Sequence, residues 1–71
     1  MTRDNLKKAI KKITERNLTG REQEVLETFI WKAIEEGTDE TFQKALAAID
    51  FLYMAERINL VDSFELADLI G

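Results

Sequence analysis

Neither cysteine nor histidine occurs anywhere in the 71 residues. Without thiols, no disulfide framework can compensate for a small core, and thiolate zinc sites and thiol nucleophiles are excluded. The chain has no need of an oxidising compartment, so a cytoplasmic location is expected. Without imidazole, the commonest general base and the commonest metal ligand are missing together. Proline is absent too, and only Gly20, Gly37 and Gly71 punctuate the chain, which leaves helices and short turns as the available structure. No long apolar run exists: Asp50 interrupts the stretch from Ala45 to Ala55, and Arg3, Asp4, Lys7 and Lys8 have no apolar core behind them. Neither a membrane span nor a signal peptide is expected.

The residues that remain assemble no catalytic constellation. Ser63, the only serine, has no histidine to activate it and sits where a helix cap is expected. Glu24 and Glu27 are paired at helical spacing, but on a surface face without the apolar surroundings that fit a carboxyl for acid catalysis. Glu35, Glu36, Asp39 and Glu40 gather around a turn, yet they lack the alternating oxygen ligands of a calcium loop. No catalytic residue, cofactor site or metal site is expected, and the chain is not expected to be an enzyme.

What is present is the balance of a folded domain, with 45% apolar and 34% charged residues, far from the composition of a disordered tail. A chain this short buries only about 60% of the surface its unfolded form exposes, so residues 1–71 form one domain of modest stability. The net charge of −4 hides an asymmetry. Up to Arg21 there are seven basic and two acidic side chains, whereas residues 22–71 hold three basic and twelve acidic ones. A basic first helix lying against an acidic remainder accounts for this most simply, because exposed charges are screened within about 8–10 Å at ordinary salt.

Hydrophobic periodicity predicts an all-α bundle of three main helices plus a short C-terminal one, with helix 3 central and helices 1 and 2 an antiparallel pair across it. The first helix begins near Arg3, with Thr2 or Asp4 as cap, and aligns Leu6, Ala9, Ile10 and Ile13 on one face while Lys7, Lys8, Lys11 and Lys12 fall largely away from it. Asn17 is a candidate left-handed stop. Thr19 and Glu22 have the spacing of a capping box opening the second helix, which runs to about Glu36. Its core arc is Val25, Leu26, Phe29, Ile30, Ala33 and Ile34, and Gly37 follows as terminator. Thr38 or Asp39 caps a third helix predicted over Asp39 to Ile58. It is apolar nearly all round, with a second stripe of Ala47, Phe51, Met54 and Ile58 beside its main one. A monomer is favoured over a homodimer on the expectation that the C-terminal helix, capped at Asp62 or Ser63, covers that stripe through Phe64, Leu66, Leu69 and Ile70.

Residues Leu18 to Leu26 are similar to the opening of the helix-turn-helix domain of LuxR-type response regulators, where Leu-Thr-x-Arg-Glu precedes an aliphatic pair. That resemblance covers nine residues, and the family's basic recognition helix is not found downstream. A capping box before an amphipathic helix produces the same letters. The third helix opens with Asp39 and Glu40 and carries Asp50, a poor surface for phosphates.

Two surfaces remain as candidates. Trp31 points away from the core arc of the second helix, in the company of Glu24, Glu27 and Glu35. An indole with an acidic rim is the build of an interface anchor, and also of a ring covered by the first helix and a cationic side chain. The expected function is accordingly a small cytoplasmic regulatory or adaptor protein that binds a larger protein partner, for example as an inhibitor encoded by a phage or mobile element. The alternative is a nucleic-acid-associated regulator using Lys7, Lys8, Lys11 and Lys12, although no aromatic residue interleaves with them for base stacking.

Overall fold

The computed structural model describes residues 2–71. Four helices follow one another, α1 (Arg3–Asn17), α2 (Gly20–Glu36), α3 (Asp39–Met54) and α4 (Leu60–Ile70), and the described residues contain no strand. The all-α expectation holds. Helices α1, α3 and α4 start where a side chain accepts from the free N–H groups of the first turn. Thr2 accepts from the Asn5 amide at 3.2 Å. Thr38 and Thr41 exchange side-chain and backbone bonds in a capping box at 3.2 and 3.3 Å. Asn59 accepts from the Asp62 amide at 2.8 Å.

Several local expectations are corrected. Asn17 is not left-handed; it closes α1, and the extended, buried Leu18 ends that helix. Thr19 makes no side-chain cap. Gly20 stands at φ +55°, a turn that redirects the chain there, and the Glu22 carboxylate pairs with Arg57 instead of reaching back to the cap. The third helix stops at Met54, four residues before Ile58, because Glu56 adopts φ 62°. The Glu56 amide donates to the Tyr53 carbonyl at 3.0 Å and the Arg57 amide to the Leu52 carbonyl at 2.8 Å. This is a Schellman closure with glutamate in the place usually held by glycine. The freed residues let Asn59 cap α4 and draw Asp62 and Ser63, both buried, into its first turn.

Antiparallel pairing runs through the bundle. Arg3 at the start of α1 meets Glu35 at the end of α2, and Thr14 near the end of α1 bonds to Glu27. The two-residue link Gly37–Thr38 folds α3 back along α2, so Glu22 and Arg57 meet at their far ends. Gly71 at the end of α4 lies beside Phe42 near the start of α3. The backbone of α3 approaches α2 and α4 most closely, whereas α1 rests on α2 and α4. The core is Ile10, Ile13, Leu18, Leu26, Ile30, Ile49, Ile58 and Leu66.

One part of the expected core is absent. Phe51 is 71% exposed, Met54 72% and Phe64 65%, so α4 does not cover the second stripe of α3; only Ile58 of that stripe is buried. α4 turns Leu66 inward, and its partly buried Leu69 and Ile70 pack against the core. Phe64, two residues before Leu66, falls on the opposite side of the helix. Val25, expected in the core arc of α2, is also exposed.

Candidate functional site

Trp31 is half-buried and packs against the core. The Arg3 guanidinium stands 5.7 Å from its ring centroid and pairs with Glu35 at 2.7 Å, so a cation–π contact and an ion pair share one arginine. Glu27 accepts a 2.9 Å bond from the buried Thr14 hydroxyl. Two of the three acids expected to form a rim therefore face α1. Glu24, one side of α2 with Trp31 and Glu35 at spacings of seven and eleven residues, is exposed. Lys7, Lys8, Lys11 and Lys12 are all exposed on α1; Lys11 lies 3.9 Å from Glu15.

A larger concavity lies elsewhere, along the seam where α2 and α3 run antiparallel. It has a volume of about 820 Å³ and is open to solvent. Val25 and Phe29 of α2 and Ala47, Ala48, Phe51 and Leu52 of α3 line it, with Arg21, Glu22 and Lys44 among them. The lining is mostly apolar with a few charged groups. It arises because α2 and α3 each carry more apolar residues than one packed face consumes. The second stripe on α3 was readable in the sequence; that α4 would leave it bare was not.

A third cluster joins α1 to α4. The buried Asp62 carboxylate accepts from the Arg16 guanidinium, at 3.0 Å from Nε and through a second bond from the terminal nitrogen. It also accepts from the Asn17 amide at 2.6 Å and the Asn59 amide at 3.0 Å. The Arg16 bonds hold its carboxyl at about 2, below the usual 3.8, against the opposing effect of burial, and Asn17 and Asn59 reinforce the shift. The same pairing raises Arg16. Arg16 and Asp62 are 46 positions apart, so no local spacing signals the cluster, and Asp62 reads in the sequence only as a cap. Every buried side-chain nitrogen and oxygen among the described residues has a hydrogen-bond partner, which marks this network as a satisfied structural staple.

Among the described residues no group of three or more acidic side chains is arranged to hold a metal ion, and no helix is long and apolar enough to cross a membrane. No protein-family model matches the chain, and no curated protein or solved structure is significantly similar to it.

Proposed function

We propose that this chain is a small, non-enzymatic regulatory or adaptor domain that acts in the cytoplasm by binding a larger protein, and that the α2–α3 groove is its principal docking surface. The uncovered groove carries the reading. A 71-residue domain has little apolar surface to spare, and leaving Phe51 71% exposed beside Val25 and Ala47 gives up burial worth about 1.5–3 kcal/mol for one large side chain. Contiguous exposed apolar patches of this kind mark interaction sites. The absence of histidine and cysteine supports a binding role over a catalytic one. Trp31 and Glu24 are a secondary surface, since Arg3 and α1 already engage Glu35 and Glu27.

The test is comparative affinity capture with the full chain as bait, as wild type, Phe51→Asp and Trp31→Ala, followed by mass spectrometry and remeasurement with the purified partner. A protein held by the wild type and released by Phe51→Asp supports the reading. Identical captured sets for all three baits contradict it. A nucleic-acid role is the second reading, supported by the exposure of Lys7, Lys8, Lys11 and Lys12. It requires binding to duplex DNA that weakens steeply with added salt.

A further inference from the structure

From the charges around the groove we infer that its occupant is an amphipathic helix whose apolar stripe is flanked by acidic residues; this rests on the groove being a protein-binding surface. Both walls of the groove are helices, and the seam between two helices accepts a third by ridge-into-groove packing. From Arg21 to Phe29 the α2 wall is about 12 Å long, enough for apolar anchors spaced three or four residues apart on two turns of the incoming helix.

The charges select the flank. Outside α1 the chain has four basic residues, Arg21, Lys32, Lys44 and Arg57, against twelve acidic ones from Glu22 onward. Arg21 and Lys44 line the groove itself, whereas in the adjoining depression Lys32 and Lys44 are matched by Glu36 and Glu40. Arg57 holds Glu22 and so neutralises the one carboxylate on the groove lining. Glu40 lies 3.2 Å from Lys44, but both are largely exposed and that contact is screened and exchangeable. On the groove lining itself, Arg21 and Lys44 stand against one carboxylate, Glu22, which Arg57 already engages, in a part of the chain that is otherwise acid-rich. A helix with basic flanks would meet Arg21 and Lys44, and like charges across an interface are strongly selected against. A second copy of the chain is the competing occupant, since Val61 and Phe64 are exposed on α4 with Glu65 and Asp68 close by. α4, however, offers only part of one apolar face.

Display selection decides the matter. The full chain is the target for a library of two-to-five-turn amphipathic helices with varied apolar anchors and flanks drawn equally from Glu, Lys, Gln and Ala, and affinities are then measured by fluorescence anisotropy. The expected winners carry Glu flanks, and their Lys-flanked counterparts bind about tenfold or more weakly at low salt. Phe51→Asp abolishes binding, Trp31→Ala preserves it, and the double variant Arg21→Glu with Lys44→Glu inverts the flank preference while remaining folded by circular dichroism. Failure to enrich any helix, or winners with basic or neutral flanks, overturns the inference. So does a wild-type dimer in sedimentation that Phe51→Asp disperses. A cellular partner released by Trp31→Ala and kept by Phe51→Asp would leave the protein-binding role standing while removing the groove from it.

Discussion

Replacing Asp62 by alanine removes the acceptor for three side chains at once. At neutral pH the Arg16 guanidinium and the Asn17 and Asn59 amides lose their shared partner. Hydrogen bonds to a charged group contribute about 1.5–3 kcal/mol net. Arg16 is 46% exposed and can turn to water, so the expected loss lies near the middle of that range, at about 2 kcal/mol. The pH dependence is the sharper readout. The Asp62 carboxyl titrates at about 2 in the folded chain against 3.8 ordinarily, so the folded state favours the ionised form. That stabilisation is complete above the unfolded value and disappears as pH falls from about 4 through about 2. A shift of this size corresponds to about 2 kcal/mol, which solvent screening around the half-exposed Arg16 reduces to about 1–2 kcal/mol. Urea unfolding followed by circular dichroism at pH 7, 4, 3 and 2, with Asp62→Asn as the uncharged control, measures both effects. The gap between wild type and Asp62→Asn should narrow steadily below pH 4. A gap that stays constant from pH 7 to pH 2, or a change below about 0.5 kcal/mol for Asp62→Ala at pH 7, would refute the assignment of Asp62 as the staple between α1 and α4.

Three further outcomes are expected. Glu56→Gly should stabilise the chain by about 0.5–1 kcal/mol, raising the melting temperature by roughly 2–8 °C, because glutamate at φ 62° bears a left-handed cost that glycine does not; a lower melting temperature would mean the turn is not strained. Phe51→Ala should stay within about 0.5 kcal/mol of wild type, whereas Ile30→Ala, at a fully buried position, should cost about 2–5 kcal/mol; similar denaturation midpoints for the two would contradict the burial assigned to them. Trp31→Ala should cost about 2 kcal/mol, between those limits, and Arg3→Ala no more than about 1 kcal/mol; a Trp31→Ala protein that melts like wild type would show an indole without packing on the core.

The helices were legible in the sequence because their signals are local. The 3.6-residue spacing of Ile10 and Ile13, the glycine at 37 and the threonine at 38 act within one or two turns, and each did what its chemistry predicts. The misreadings arose where a local signal met a distant partner or an unusual backbone. Thr19 and Glu22 have the letters of a capping box, but the left-handed Gly20 and the pull of Arg57 separate them. Nothing marks Glu56 as a helix terminator, since glutamate seldom takes a positive φ. The groove was half readable. The surplus apolar stripe on α3 is evident from its composition, and whether it is covered depends on which way α4 rolls. The cluster of Arg16, Asn17, Asn59 and Asp62 ties the start of α4 to the end of α1, and its two halves lie more than forty residues apart in the chain. The acidic company of Trp31 was also legible, while its pairing with Arg3 needed the antiparallel register of α1 and α2.

The most direct test of the proposal that the α2–α3 groove is a docking surface is amide chemical-shift mapping of the isotopically labelled full chain, free and saturated with a protein partner isolated by affinity capture. The largest changes are predicted at Arg21, Val25, Phe29, Lys44, Ala47 and Phe51, with little change along the outer face of α1. Changes confined to Lys7, Lys8, Lys11 and Lys12, or to the surroundings of Trp31, with the groove residues unmoved, would contradict it.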